Sequence, residues 1–191
     1  MRTGAAAIVG IAAFAVLGAG SAPSAVTSPR SVLDVGDSLS VGAAPYLRAR
    51  LRGYRIEPVH DVGLHAYDAA RIVSVTRPLP SVLVVSAGTN DDPRIVSSFV
   101  HSVGTVVRNA GSRCVVWPTI VRPPAVGATY AGLNDALIRS AQRNRNLVLV
   151  DWVHMVRVHP WWLAADGVHV SSAGYRARAA VIAAAITGRC S

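Results

Sequence analysis

The sequence has no lysine, a single glutamate (Glu57) and only two cysteines among its 191 residues. Two cysteines are too few for the disulfide framework that holds small secreted scaffolds together. Charged residues make up 15% of a chain that is 51% hydrophobic, which excludes an acidic disordered tail and a coiled coil. The composition therefore indicates a globular chain, and the length suits a single domain.

All of the basic residues are arginines. Nineteen of them against ten acidic residues give a net charge of +9. The nearest approaches to clusters are the segments 48–55 and 139–145, and neither forms the continuous basic surface that a nucleic acid requires. We therefore predict no nucleic-acid partner, whereas a peripheral contact with anionic polymers of a cell envelope stays open.

The longest apolar run stands at the N-terminus. Arg2 precedes Ala5–Leu17, which has no polar side chain, and Gly18–Ala25 is rich in small residues, an order typical of a secretory signal peptide. The apolar stretch to Ala19, about 15 residues long, would extend roughly 22 Å as a helix, against about 30 Å for a hydrocarbon core. We expect residues 1–25 to be a signal peptide, with an uncleaved anchor as the alternative. Residues 26–191 would then be a single domain that is secreted or held in the cell envelope.

Five short apolar segments follow the leader. They are too short for helices and most are rich in Val, Ile or Leu, which is typical of strands buried on both faces of a parallel sheet. The predicted strands are Val32–Val35, Arg55–Val59, Val82–Ser86, Cys114–Trp117 and Leu147–Asp151.

Amphipathic helical patterns separate these strands, with apolar residues at spacings of three and four. Strands that alternate with helices in this way predict an α/β fold, a three-layer αβα sandwich around a five-stranded parallel sheet. The predicted helices begin near Gly42 with Pro45 in the first turn, near Pro93 with Asp91 or Asp92 as the cap, near Leu133, and at Ser171 or Ser172 with an end near Thr187.

The two cysteines stand at the start of the fourth predicted strand and after the last predicted helix. Helices of such a sandwich run antiparallel to its strands, so Cys114 and Cys190 are expected at the same end of the sheet. We predict a Cys114–Cys190 disulfide, which an oxidising compartment would preserve. The alternative is two separate buried thiols.

Polar residues that could take part in catalysis follow the predicted strands. Right-handed crossovers leave the carboxyl ends of parallel strands along one edge, where folds of this kind place their sites. Each segment alone has a composition that is common in turns. Together the segments supply a hydroxyl, a backbone amide, a side-chain amide and a carboxylate–imidazole pair, which are the groups that acyl transfer requires. The segments are Gly36-Asp37-Ser38, Asp61-Val62-Gly63, Gly88-Thr89-Asn90-Asp91 and Asp166-Gly167-Val168-His169.

In this order, the four segments resemble the signature blocks of the SGNH or GDSL-type hydrolases. These are secreted esterases and lipases on a flavodoxin-like sandwich, and the resemblance spans roughly residues 31–187. It implies that Ser38 is the nucleophile, His169 the general base and Asp166 the carboxylate that orients His169. It also implies an oxyanion hole built from the amides of Ser38 and Gly63 and from the Asn90 side chain.

The sequence thus predicts a secreted serine esterase that hydrolyses carboxylic esters of small molecules, lipids or glycans through an acyl-enzyme, without a cofactor. Asn134 and the Asp151-Trp152 pair resemble SGNH domains fused behind membrane acyltransferases, so an O-acyltransferase or deacetylase acting on envelope glycans is an alternative. A non-catalytic envelope or carbohydrate-binding protein is a third. We predict that Asp166, and not Asp151, partners His169, because Asp166 precedes it by three residues.

Two further groups of residues have side chains that occur in binding sites. The histidine pairs His60/His65 and His154/His159 span five positions and lack the spacing of a helical metal site, so we predict no metal. The Trp161-Trp162 pair precedes the Asp166–His169 segment. It would either rim a substrate pocket or cover the core beneath a loop.

Overall fold

The computed structural model describes Met1 and residues 30–190. The predicted signal peptide therefore lies outside the described residues, apart from Met1. Over residues 30–190 the chain alternates between strands and helices and forms one sheet with helices on both faces. The predicted three-layer α/β sandwich is confirmed.

The sheet has five strands in the order β2-β1-β3-β4-β5, and all neighbouring pairs are parallel. Its order reverses between β1 and β3, which places a crevice at the carboxyl ends of these two strands. All five predicted strands are present: β3 has the predicted bounds, and the ends of the others differ by at most two residues. The strands are β1 (Arg30–Gly36), β2 (Tyr54–His60), β3 (Val82–Ser86), β4 (Cys114–Pro118) and β5 (Leu147–Val150).

Residues 30–190 form six α-helices, five of which cover the two faces of this sheet, while α5 packs beside α6. Helices α1 and α6 pack on one face, while α2, α3 and α4 pack on the other. Their bounds are α1 (Ser38–Arg50), α2 (Ala66–Val75), α3 (Val96–Ala110), α4 (Ala131–Arg143), α5 (Trp152–Val158) and α6 (Ser172–Arg189).

Cover on both faces of the sheet explains why β3, β4 and β5 are almost entirely apolar, whereas the more exposed edge strand β2 carries Arg55 and Glu57. Val32 and Val84 pack toward α1 and α6, whereas Leu33, Val85 and Trp117 pack toward α3 and α4. Successive side chains of a strand point to opposite faces, so a strand covered on both sides shows no polar alternation.

The prediction that the first helix starts near Gly42 is wrong. Helix α1 begins four residues earlier, at Ser38, because the Asp37 carboxylate caps it by accepting a hydrogen bond from the Leu39 amide at 3.0 Å. Pro45 consequently lies inside the helix rather than in its first turn. Since α1 packs against α6 and β1, tertiary contacts outweigh the backbone hydrogen bond that the proline removes.

The predicted cap of the third helix is also wrong. Helix α3 begins at Val96, after a turn, and neither aspartate caps it. Asp91 instead accepts a hydrogen bond from the Ala66 amide at the start of α2, and Asp92 forms an ion pair with Arg94. The last helix begins after Ser171, which caps it as predicted, but it continues through Gly188 to Arg189.

A disulfide joins Cys114, at the start of β4, to Cys190, which directly follows α6, with 5.4 Å between the two Cα atoms. The bond lies at the end of the sheet opposite to the crevice. None of the helices over residues 30–190 has the length and apolarity that crossing a membrane demands.

Candidate active site

Strand β1 delivers Ser38 to the crevice through a tight turn. Gly36 ends the strand, and a Cβ at this position would collide with the Ser40 side chain. Ser38 is the first residue of α1. The first backbone N–H groups of a helix have no partner within the helix and carry partial positive charge. Among the described residues nothing accepts a hydrogen bond from the Ser38 amide, so it is free to bind a ligand.

Ser38, His169 and Asp166 form a continuous hydrogen-bonded chain. The Ser38 Oγ lies 2.9 Å from His169 Nε2, and His169 Nδ1 lies 2.6 Å from an Asp166 carboxylate oxygen. Strand β1 and the loop before α6 bring these residues together across 131 positions of sequence. The structure thus places the three residues in the geometry of a nucleophile, a base and an orienting carboxylate.

The charge on Asp166 determines the direction of these hydrogen bonds. The hydrogen bond with His169, and next the bonds from the Val168 and His169 amides, lower the pKa of Asp166 to about 2. An ionised carboxylate only accepts hydrogen bonds, so His169 donates from Nδ1 and accepts the Ser38 hydroxyl proton at Nε2. This tautomer is the one that a general base at Nε2 requires.

The loop carrying Asp166 and His169 is held locally. Gly167 has a φ of 66°, a conformation that favours glycine, and a Cβ at this position would collide with the Pro123 ring. The His169 carbonyl also accepts a hydrogen bond from the Ala164 amide at 2.8 Å. His169 is therefore oriented by backbone contacts as well as by Asp166, although both side chains remain about half exposed.

Three candidate oxyanion donors line one cavity of about 410 Å³ together with the Ser38 hydroxyl. Besides the Ser38 amide, they are the Gly63 amide, at a residue with a φ of 88°, and the Asn90 side chain. The Gly63 amide has no acceptor among the described residues. Asn90 Nδ2 donates one hydrogen to the Leu64 carbonyl at 3.2 Å and keeps a second one.

Arg122, on the loop after β4, lines the same cavity and was not among the predicted site residues. Its Nη1 donates to the Thr89 carbonyl at 2.6 Å and to Asn90 Oδ1 at 3.3 Å. These contacts fix the orientation of the Asn90 side-chain amide, because its oxygen accepts from Arg122 and its nitrogen donates to the Leu64 carbonyl. Nothing in the spacing of the sequence points to Arg122, because its position depends on the course of a long loop.

Two buried charged residues near Ser38 were also missed. Asp37 and Arg178 are 0% and 2% exposed, and Arg178 donates from Nη2 to the Ser86 hydroxyl at 2.8 Å. Burial raises the pKa of Asp37 and lowers the pKa of Arg178 to about 10, and the attraction between the two charges opposes both shifts. The sequence did contain a signal, since Arg178 stands four residues before Ile182 on the apolar stripe of α6.

Asp151 and Asn134 have structural contacts. Asp151 caps α5 by accepting a hydrogen bond from the His154 amide at 2.9 Å. The Asn134 side chain donates to the Ile120 carbonyl and accepts from the Ile120 amide, which ties α4 to the loop after β4.

The remaining aromatic and histidine residues lie away from the cavity. Trp162 stacks on Trp152 and His159, so it covers the core beneath the loop, while Trp161 is exposed. His60 binds the buried Asp34 carboxylate at 2.9 Å. Within residues 30–190, no three histidine, cysteine or acidic side chains gather as metal ligands would.

Comparisons with known proteins agree with this architecture. No family model matches the chain, and no curated protein matches its sequence. Solved structures do match. The C-terminal catalytic domain of peptidoglycan O-acetyltransferase A from Streptococcus pneumoniae is 23% identical with a TM-score of 0.68, over 82% of this chain and 92% of that one.

Two esterase-type structures match over similar lengths. A GDSL-like lipase from Bacteroides thetaiotaomicron is 17% identical with a TM-score of 0.63, over 83% of this chain and 88% of that one. A carbohydrate esterase of family 3 from Talaromyces cellulolyticus is 20% identical with a TM-score of 0.65, over 84% and 97%. The resemblance to SGNH or GDSL-type hydrolases is thus confirmed at the level of the fold.

Proposed function

We propose that this protein is a serine esterase that cleaves carboxylic esters through an acyl-enzyme. The observation that carries the proposal is the unbroken hydrogen-bonded chain from Ser38 through His169 to Asp166, at the edge of a cavity that also holds unpaired N–H donors. A serine hydroxyl is a weak nucleophile unless a neighbouring base takes its proton, and His169 is positioned to do so.

In the first half of the reaction, the Ser38 oxygen attacks the ester carbonyl while its proton moves to His169 Nε2. Asp166 stabilises the resulting imidazolium. The tetrahedral intermediate collapses, the bond to the alcohol breaks, and His169 returns the proton to the leaving alcohol. Ser38 then carries the acyl group.

In the second half, water attacks the acyl-enzyme with His169 again as the base. The carboxylic acid leaves, and the proton returns to Ser38. In both halves the negative charge that develops on the carbonyl oxygen is met by the amides of Ser38 and Gly63 and by Asn90 Nδ2. Preorganised donors of this kind are usually the largest contribution to catalysis.

Hydrolysis of 4-nitrophenyl acetate by the purified chain tests the proposal. We expect turnover by the wild type and loss of at least about 1,000-fold in kcat for Ser38→Ala. Ser40→Ala is a matched control, because Ser40 lies two residues further along α1 and is buried. Equal turnover by the Ser38→Ala variant would refute the proposal and favour a non-catalytic role in binding.

A second candidate is transfer or removal of acyl groups on envelope glycans with the same residues. The fold shared with a peptidoglycan O-acetyltransferase domain and with a carbohydrate esterase favours it. A sugar hydroxyl would then replace water, or an acetylated sugar would be the ester. Adding a glycan acceptor to the acetyl-ester assay separates the two, since transfer gives acylated sugar and hydrolysis gives free acetate.

We also propose that this protein is exported and that it contacts anionic envelope polymers through the end of the domain opposite to the cavity. The amino ends of the strands and the carboxyl ends of the helices lie there, and so does Arg30, which follows the predicted leader. Glu57, near the middle of β2, is the acidic residue nearest to this end. The exposed arginines at this end are Arg30, Arg48, Arg50, Arg52, Arg77, Arg108, Arg113, Arg143, Arg145 and Arg189.

A further inference from the structure

We propose that Arg122 binds an anionic group of the ester, a carboxylate or a phosphate, and so makes the enzyme selective for negatively charged esters. The inference rests on the proposed esterase function and names its substrate class. Arg122 lines the cavity that holds Ser38 and His169, so a substrate acylating Ser38 comes within reach of its guanidinium.

One edge of the Arg122 guanidinium is fixed by the protein. Nη1 uses its two hydrogens on the Thr89 carbonyl and Asn90 Oδ1. The guanidinium also lies 6.0 Å from the ring centre of the buried Tyr130. The side chain is therefore held in place before any substrate binds, which lowers the entropy that binding costs.

The other edge of the guanidinium has no partner. Within residues 30–190, Nε and Nη2 of Arg122 make no hydrogen bond, and no carboxylate lies within ion-pair distance. Arg55 and Arg94 differ, because each pairs with an acidic side chain. Arg122 is thus a half-buried cation with three free N–H donors, and the fork of Nε and Nη2 matches the two oxygens of a carboxylate or phosphate.

The rest of the cavity offers little competition for these donors. The only carboxylate that lines it, within the described part of the chain, is Asp166, which is engaged by His169. The residues beside Arg122 are Pro123, Pro124 and Ala125, which carry no charge. An anion that enters therefore meets a cation with unpaired donors, while the negative charge of Asp166 is held by its hydrogen bond with His169, and partial removal from water strengthens the attraction to Arg122.

Paired esters, in which one member carries an anionic group and the other a neutral group at the same position, test the inference. On the acyl side the pair is 4-nitrophenyl hemisuccinate and 4-nitrophenyl butyrate; on the alcohol side it is 2-acetoxyethyl phosphate and 2-acetoxyethanol. We expect the wild type to favour the anionic member of at least one pair by about 10-fold to 100-fold in kcat/KM, as for a hydrogen bond between charged groups. The pair that shows the preference tells which side of the ester, and which anion, Arg122 binds.

The variant Arg122→Gln should lose this preference, chiefly through a higher KM for the anionic ester, and Arg122→Lys should retain part of it. Because Arg122 also contacts Asn90, kcat for the neutral ester is expected to fall as well, so the ratio between paired esters is the decisive quantity. Arg94→Gln removes the same charge at a residue that does not line the cavity and should leave the ratio unchanged.

Two results would overturn the inference. Equal ratios for the wild type and Arg122→Gln, with neutral esters still hydrolysed, would overturn it and leave the esterase function standing. Failure of the wild type to hydrolyse any of the four esters would overturn the proposed function and the inference together.

Discussion

At Ser38, three separate features act on one residue. The turn after β1 exposes its hydroxyl, His169 is placed to take its proton, and its own amide is free at the start of a helix. Each feature comes from a different local cause: Gly36 permits the turn, the Asp166 carboxylate sets the tautomer of His169, and the Asp37 cap starts the helix. Under the proposed mechanism, the surroundings of Ser38 determine how strongly its hydroxyl is activated, and single substitutions around Ser38 should separate the contributions.

Asn90→Ala should lower kcat by about 100-fold to 1,000-fold with little change in KM, because its amide stabilises the developing oxyanion more than the ester carbonyl. Steady-state kinetics and thermal unfolding of one preparation measure both effects. Asn134→Ala is the matched control, since Asn134 binds only backbone. It should lower the melting temperature and leave kcat of the folded protein nearly unchanged. An Asn90→Ala variant with unaltered kcat would remove Asn90 from the site.

Asp166→Asn should reduce kcat by about 10-fold to 10,000-fold without unfolding the protein, because the imidazole loses the charge that orients it. Asp151→Asn is the comparison. Asp151 caps α5, and asparagine caps a helix about as well, so we expect little effect on either activity or stability. A larger loss of kcat from Asp151→Asn, in an equally stable protein, would reverse the assignment.

At the scale of elements, the sequence indicated the strands better than the helices. Runs such as Val82–Ser86 are buried on both faces, so their composition alone marks them. Helix α5 is only seven residues long and gives no clear periodicity, and helix α2 was likewise not predicted. The predicted start of α1 was wrong because it placed Pro45 in the first turn of the helix. The Asp37 cap starts the helix at Ser38, and packing against α6 compensates for a proline inside it.

The disulfide between β4 and the end of α6 should contribute to stability and not to catalysis. It closes a loop with a sequence separation of 76, and a bond of this kind typically contributes about 2–4 kcal/mol. The double variant Cys114→Ser/Cys190→Ser should lower the free energy of unfolding by that amount. It should keep the kcat of the folded enzyme, because both residues lie at the end of the sheet opposite to Ser38.

Denaturant unfolding and ester hydrolysis on the same samples give the two quantities. Thiol titration of the denatured, unreduced wild type provides an independent control. Two free thiols in that titration would refute the disulfide itself.

At the scale of the whole molecule, the charges are separated along the strand direction. The exposed Asp61 and Asp166 and the partly buried Asp92 lie in loops at the cavity side of the sheet, while arginines collect at the opposite end. The parallel topology produces this separation, because the helices that connect the strands end where the next strand begins. The spacing of arginines along the sequence did not reveal it, since the surface is assembled from loops that are far apart in the chain.

Replacing Arg48, Arg50, Arg52 and Arg145 with Gln should weaken binding to a poly(glycerol phosphate) polymer and make it less dependent on salt, because fewer counterions are exchanged. The control replaces four arginines that lie away from this end, Arg71, Arg94, Arg157 and Arg176. Both variants lose the same charge. Equal weakening in co-sedimentation at several salt concentrations would show that only net charge matters and would contradict a specific basic end.

The central claim, that Ser38 is an activated nucleophile, is tested most directly by a fluorophosphonate probe. Such a probe forms a covalent bond with a serine only where a base and an oxyanion site assist the attack. Intact mass should show one adduct per chain, peptide mapping should place it on Ser38, and the Ser38→Ala and His169→Ala variants should show none. Absence of labelling in the folded wild type, or labelling at another residue, would contradict the account.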